Sequence, residues 1–392
     1  MSTVILKKKI KSRISNGHPW VYSNEIEEIL EEPYDGEIVT ILNSSHQFVG
    51  KGFFNSNSII KVRLITRKNE TIDKTFFEMR LKEALKRRFH YSKREAFRVS
   101  HAEADGLPGL VIDKYGDYLV FQTNSLGMHK LIPIITDVAI RIFEPKGIFL
   151  KNDSPTLEKE GIEKFKGWIY GKGPEIVEFE TQDGLKMYAD ISQGQKTGFF
   201  LDQIENSKLL SKYSFGKRCL DVFSYTGNFA LRMLKGGAIQ VDLVDISKRA
   251  LEISEKVFKE NDLQNFFMVE SNAFDFLKRL DRNGEKYDLI SLDPPPFARS
   301  RSAIENAFKG YKEINLRAMK LLKSPGILAT SSCSQSVMRS EFERVLYSAA
   351  IDTRKRITIL HRGGQPIDHP VVMNILESDY LKFYILLVED LE

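Results

Sequence analysis

The 392-residue chain carries 58 Lys and Arg against 53 Asp and Glu, a net charge of +5, with 42% hydrophobic and 28% charged residues. This length exceeds one ordinary core and implies two or three domains, while the balanced composition excludes a disordered or fibrous class. No stretch reaches the ~18–20 charge-free apolar residues of a membrane helix, no apolar run follows the leading MSTVILKKKIK, and two cysteines, Cys219 and Cys333, are too few for a disulfide scaffold or a cysteine-built metal site; a cytoplasmic protein without metal or membrane partner is expected.

The first segment is basic: Lys7, Lys8, Lys9, Lys11 and Arg13 precede any acid. Such a run is either a solvated arm or a contact for a polyanion. Short alternating segments follow at Glu37–Leu42, Gln47–Phe54 and Ile59–Ile65, so residues 1–70 read as a small β domain, a shape that often carries nucleic acid. From Thr75 the period becomes four, with Phe77, Leu81, Leu85 and Phe89 marking an amphipathic helix whose Arg80, Lys86, Arg87 and Arg88 form either a solvated or a phosphate-facing set. Strands at Val99–Ala102, Gly109–Lys114, Tyr118–Thr123 and Gly147–Lys151, a helix over Gly127–Phe143, and strands at Ile176–Glu180 and Leu185–Asp190 make residues 71–190 a central α+β domain.

Residues 191–392 alternate strand and helix, the pattern of a mainly parallel sheet covered on both faces. In CLDVFSYTGNFALRML the apolar run Leu220–Phe223 holds Asp221, Gly227 marks the reversal, and a helix follows over Phe229–Leu234. A strand feeding a helix through a glycine turn brings backbone N–H groups to a ligand; the same turn also occurs without one. The strand Ile239–Val244 ends in Asp245, where an acid can hold ribose hydroxyls, Phe266–Val269 leads to Asn272 and Ala273, and Tyr287–Leu292 runs into Asp293-Pro294-Pro295-Pro296-Phe297. Three prolines stiffen that segment and leave its carbonyls without internal partners. The strand Ile327–Ser332 delivers Cys333 to the same edge, where a thiol can act as nucleophile, whereas Cys219 lies inside a strand as a small hydrophobe. A helix from Met338 to Ile351 and a hairpin of Ile357–His361 with Tyr380–Val388 close the chain. Ahead of the sheet, GQKTGFFLDQ is either a linker or a lid over a cofactor.

DVFSYTGNFAL, VDIS, SNAFDFL, LDPPPF, SSCS and GQKTGFFLDQ resemble the motifs of class I S-adenosylmethionine-dependent methyltransferases, and more narrowly those of the ribosomal RNA large subunit methyltransferase I family, which modifies cytosine C5 in 23S ribosomal RNA. The likeness extends to GHPWVYSNEI and VGKGFFNSNSIIKVRLI, similar to that family's N-terminal PUA domain, to HAEADGLPGLVIDKYGD in its central domain, and to GGQPIDHP. The resemblance implies an α/β chain: a PUA-like small β-barrel, 1–70, for RNA; a central α+β domain, 71–190; and a Rossmann-like methyltransferase domain, 191–392.

It further implies S-adenosylmethionine as cofactor and RNA, 23S ribosomal RNA, as partner. Cys333 and Asp293 are the implied catalytic pair, with Asp293 also at the cofactor. Lys196, Thr197, Gly198, Asp202, Asp221, Phe223, Gly227, Asp245, Asn272 and Ala273 are the implied cofactor residues. Better-known RNA cytosine-5 enzymes often carry a second cysteine after the proline of the fourth motif; Asp293-Pro294-Pro295-Pro296 has none, as in the family resembled. Guanine methylation on the same fold, a non-catalytic RNA-binding assembly factor, and the oligomeric state, a homodimer included, stay open at this point.

Overall fold

A computed structural model describes residues 2–8, 13–91, 94–297 and 304–391. The chain forms two compact units, Met1–Leu201 with Ile367–Ser378, and Asp202–Pro366 with Asp379–Glu392.

The first unit opens with β1 (Thr3–Leu6), β2 (Trp20–Tyr22), β3 (Ile26–Leu30), β4 (Ile38–Leu42), β5 (Phe48–Phe54) and β6 (Ile60–Thr66), in the order β2-β6-β5-β4-β1-β3. Alternation drives it: Val39 and Ile41 of β4 point inward with Val4, Val21, Phe54 and Val62, while Ile38, Thr40 and Leu42 are only partly covered. Register shifts in β1–β3, β4–β5, β5–β6 and β2–β6 bend the strands into a curled half-barrel with β2 and β3 as its edges. The three strands not anticipated are short, and β3 is largely exposed with Glu27 and Glu28 in it.

Next come α1 (Lys74–Arg87), β7 (Ala96–His101), β8 (Leu110–Tyr115), β9 (Tyr118–Thr123), α2 (Leu126–Lys130), α3 (Ile132–Phe143), β10 (Gly147–Asn152) and β11 (Phe165–Gly171). The strands lie in the order β11-β10-β9-β8-β7. Only β9 and β10 are parallel, so the chain between them must cross over, and it does so through α2 and α3. The single helix expected over Gly127–Phe143 is therefore two: Pro133 offers no N–H to continue the first, and α3 starts afresh with that proline in its first turn. Phe76, Phe77 and Leu81 of α1 and Ile135, Val138 and Ala139 of α3 share one core with the sheet. A separate hairpin of β12 (Ile176–Glu180) and β13 (Lys186–Asp190) follows.

Buried charge ties the unit together. The Arg88 side chain is fully buried, bonded to both oxygens of Asp105 at 3.0 and 2.5 Å and to the backbone carbonyl of Asp368 at 2.8 and 3.2 Å. The Asp368 carboxylate accepts the Arg98 N–H at 2.9 Å, the Arg98 guanidinium grips Asp113 at 2.8 and 2.7 Å, and Thr197 donates to Asp113 at 2.6 Å. Arg88 is thus neither solvated nor phosphate-facing, and Arg87 also pairs with Asp105, at 2.8 Å. Arg13 is likewise engaged, with Glu377 at 2.6 Å, while Lys9 and Lys11 lie outside the described residues.

The second unit contains α4 (Ile204–Leu210), β14 (Arg218–Val222), α5 (Asn228–Lys235), β15 (Gln240–Asp245), α6 (Lys248–Glu260), β16 (Phe266–Glu270), α7 (Ala273–Arg282), β17 (Tyr287–Leu292), α8 (Ile304–Leu321), β18 (Leu322–Ser332), α9 (Arg339–Thr353), β19 (Lys355–Gly363) and β20 (Lys382–Asp390). Its seven strands run β16-β15-β14-β17-β18-β20-β19, parallel through β18 and antiparallel at β20. The strand order reverses between β14 and β17, which opens a crevice at their carboxyl ends. The closing strands pair as expected but form no tight hairpin, because Ile367–Ser378 between them belongs to the first unit. No helix among the described residues is long and apolar enough to cross a membrane, and no cluster among them could hold a metal.

Removing Arg88 leaves the buried Asp105 carboxylate with Arg87 as its cation and strips the Asp368 carbonyl of both guanidinium donors, so Arg88→Ala is expected to destabilise the first unit by about 3 kcal/mol, read from the midpoint of urea unfolding. Burial alone raises the Asp105 pKa, yet Arg88 and Arg87 hold it below its ordinary 3.8. Its stabilising contribution is therefore present above pH 3.8 and is lost as the pH falls further.

Candidate active site

The crevice begins at Asp221, which sits opposite Ser291 in the β14–β17 ladder and is 1% exposed. Its carboxylate accepts the Ser291 hydroxyl and, at 3.0 Å, the Ala230 N–H in the first turn of α5. Burial, aided by the nearby Asp293 and Asp245 carboxylates, pushes its pKa up to about 7 against those two hydrogen bonds.

Between β14 and α5 the backbone turns through the left-handed region three times, at Phe223 (φ +63°), Tyr225 (φ +48°) and Gly227 (φ +77°). Only the last is a glycine, and it must be one, because a Cβ there would stand 2.9 Å from the Phe258 ring and 3.1 Å from Ser254 Oγ. Asp245, at the end of β15, braces this loop: one oxygen accepts the Tyr225 N–H and the other the Ser247 N–H, both at 2.8 Å. Its backbone carbonyl accepts the N–H of Ser271, next to Asn272. Asn272 itself is exposed and caps α7 through the Phe274 N–H at 2.9 Å, with Ala273 buried behind it.

Asp293 leaves β17 with its N–H on the Val222 carbonyl at 3.3 Å. Its carboxylate accepts Gln203 Nε2 at 2.8 Å and the Ser331 hydroxyl. Cys333, one residue past β18, places Sγ 3.7 Å from the Pro294 carbonyl oxygen and is only partly buried. The other thiol, Cys219, is buried inside β14, and burial pushes it up to about 12.

Asp221, Phe223, Gly227, Asp245, Asp293 and Cys333 therefore gather at the strand ends of one unit, with Asn272 and Ala273 at its edge. Asp202 joins them in that unit as a buried acceptor for the Tyr380 hydroxyl at 2.6 Å. Lys196, Thr197 and Gly198 belong to the first unit instead: Thr197 is fully buried between Asp113 and the Tyr115 hydroxyl, Lys196 Nζ lies 4.6 Å from the centroid of the Phe200 ring, and a Cβ on Gly198 would strike the Asp190 backbone at 2.8 Å. Sequence reasoning missed Gln203, Ser291 and Ser331 as partners of the site carboxylates. Ser291 was findable as the one hydroxyl in the apolar stretch Leu289–Leu292, whereas Ser331 is hidden among Thr330 and Ser332.

A family model for a PUA-like domain matches residues 4–67, and one for an S-adenosylmethionine-dependent methyltransferase matches 163–363. Curated relatives called ribosomal RNA large subunit methyltransferase I are 38% identical in Aeromonas hydrophila, over 97% of this chain and 98% of theirs, and 36% identical in Tolumonas auensis, over 97% and 98%. The chain belongs to the ribosomal RNA large subunit methyltransferase I family. It is an S-adenosylmethionine-dependent methyltransferase. The fold is shared with a SAM-dependent methyltransferase from Streptococcus mutans, 23% identical, with a TM-score of 0.85 over 99% of this chain and all of that one; a second structure with the same scores is a methyltransferase complexed with SAH.

The residues of this family member fit that cofactor. A carboxylate offers about four acceptor positions, and Asp245 uses two of them among the described residues. Beside it Ile246 is 71% exposed, an apolar surface at a polar loop. Ser224 Oγ, Thr226 Oγ1 and Asn228 Nδ2 line the glycine loop as buried polar atoms with no partner among the described residues, so the loop is not polar-saturated by the chain alone.

Because Gly227 combines a left-handed φ with a close approach to Phe258, Gly227→Ala is expected to lower the stability of the second unit by about 1–3 kcal/mol. Denaturant unfolding followed by circular dichroism measures it.

Proposed function

We propose that this chain methylates C5 of a cytosine in 23S ribosomal RNA through a covalent adduct on Cys333. The observation that carries the reading is the position of the thiol: Cys333 stands beside Pro294, so a nucleophile and the Asp293 carboxylate issue from the adjacent ends of β18 and β17, next to the switch point. S-adenosylmethionine, when bound, supplies an electrophilic methyl group. Cytosine C5 is too weak a nucleophile to take that methyl unaided. Addition of the Cys333 thiolate to C6 makes C5 enamine-like, C5 then takes the methyl, and loss of the C5 proton restores the ring and breaks the C6–S bond. Asp293, already fixed by Gln203 and Ser331, hydrogen-bonds the base near N3 or N4 as charge builds there.

Asp245 holds the ribose hydroxyls on its two remaining acceptor positions, Ile246 gives the adenine an apolar wall, and Asp221, Phe223 and Gly227 shape the methionine side. Asn272 and Ala273 bound the adenine side, and Lys196, Thr197, Gly198 and Asp202 carry over from the family's motif ahead of the sheet. Ribosomal RNA as substrate is supported by what the relatives are called. The half-barrel of residues 1–70 anchors RNA, with Lys7, Lys8 and the Glu377-paired Arg13 among the cations at its amino end.

Asp245→Ala is expected to weaken S-adenosylmethionine binding by about 1.5–3 kcal/mol, the range for hydrogen bonds to a charged group; unchanged affinity by calorimetry in a folded variant removes Asp245 from the site. Cys333→Ala is expected to keep cofactor affinity and lose turnover. With 5-fluorocytosine at the target position the wild type should stall as a protein–RNA adduct, since fluorine cannot leave as a proton does, and the variant should form none. Methylation by Cys333→Ala at the wild-type rate would overturn the covalent reading and favour a ring atom that is nucleophilic by itself, as in guanine.

A further inference from the structure

Two lysines among the described residues are almost completely buried, Lys151 and Lys382, each 1% exposed. Lys151 has a carboxylate partner, Asp153 at 3.2 Å. Lys382 has no carboxylate partner among the described residues. Its Nζ donates to two neutral carbonyls instead, those of Ser334 at 2.7 Å and Tyr380 at 2.8 Å. Leu381 just before β20 and Phe383 and Tyr384 on it are as buried as Lys382 is. Taking an ammonium out of water costs several kcal/mol, and such a charge persists only with compensation nearby. Burial pushes its pKa down to about 8.

Cys333 lies in the neighbouring segment. Lys382 stands opposite Ser332 in the β18–β20 ladder, and its side chain reaches forward to the Ser334 carbonyl, so its backbone and its ammonium meet the residues on either side of Cys333 in sequence. Among groups that favour its charged form Cys333 acts most strongly, ahead of Asp379 before β20 and Glu341 on α9; Arg339 on α9 opposes it. Asp379 and Arg339 stand 3.8 Å apart, and Glu341 accepts the Met338 N–H at 2.6 Å. On the α8 side, burial raises the Tyr311 pKa and keeps the phenol neutral, with its hydroxyl 2.8 Å from Ser334 Oγ.

We propose that Lys382 is a positioning residue for the nucleophile, its buried ammonium serving as the counter-charge that lets the Cys333 thiol ionise while its hydrogen bonds fix the backbone just after the thiol. The inference rests on Cys333 being the nucleophile. The thiol proton passes to solvent, the ammonium keeps its three protons, and the sulfur retains the electron pair that attacks C6.

The test is the pH dependence of iodoacetamide alkylation at Cys333 in the full-length protein without RNA, read by mass spectrometry; Cys219, buried and pushed up to about 12, stays silent. Lys382→Met should move the alkylation midpoint up by about one pH unit or more and slow alkylation at neutral pH about tenfold, while Lys382→Arg keeps a midpoint near wild type. Lys382→Gln, which retains donors for the two carbonyls but no charge, should behave like Lys382→Met and decides the matter if the Met variant does not fold. A wild-type midpoint in folded Lys382→Gln overturns the proposal, because a prop for the backbone would be indifferent to charge. If 5-fluorocytosine traps no adduct in the wild type, the nucleophile reading itself has failed; trapping with an unmoved midpoint removes Lys382 alone.

Discussion

The buried carboxylate of Asp221 is the constraint on which the second unit's site depends. With one oxygen on the Ser291 hydroxyl and the other on the Ala230 N–H, it fastens β14 to β17 across the switch point and fixes where α5 begins. The left-handed turns at Phe223, Tyr225 and Gly227 must fit between those two anchors, and Asp245 completes them by holding the Tyr225 N–H. A loop built from residues that disfavour its conformation is held by carboxylates at both ends, so its shape exists before any ligand arrives. Preorganisation of this kind avoids ordering a loop at the moment of binding.

Ion pairing plays the corresponding part in the first unit. Arg88, Arg98, Asp105, Asp113 and Asp368 are all buried and satisfy one another. Three stretches singled out in the sequence, 101–117, 194–203 and 363–370, each contribute a member or a partner, through Asp105 and Asp113, Thr197, and Asp368. Motifs that read as functional because of their resemblance thus include residues whose immediate work is to hold that unit's charges in register. Thr197 is such a residue: its hydroxyl meets Asp113, not solvent.

Much of this was legible in the sequence where one physical signal dominated. Tyr118–Thr123, Ile176–Glu180 and Tyr287–Leu292 have the expected bounds because each is an apolar or alternating run between turn residues. The strand-end acids and Cys333 followed once those strands were placed. β11 was missed because Phe165–Gly171 is an edge strand with lysine, glycine and mostly exposed side chains, and the break at Leu131 was missed because apolar periodicity runs through it. Arg88 and Lys382 were illegible for another reason: a single cation in an amphipathic helix or a strand reads as solvent-facing, and only the tertiary partners, Asp105 for one and two backbone carbonyls for the other, reveal burial.

The segment Ile367–Ser378 has a consequence for how the chain can be assembled. It leaves the second unit after β19 and finishes the first, where Arg88 waits for a carbonyl 280 residues away and Arg13 for a carboxylate 364 residues away. A ribosome emitting this chain in order releases nearly all of it before the first unit can close its charge network. Contacts of such long sequence separation carry a large loop-closure cost and form late. The amino-terminal half therefore emerges with its Arg88–Asp105 and Arg98–Asp113 pairs still lacking Asp368, which makes the nascent chain, more than the finished enzyme, the species that needs protection from aggregation.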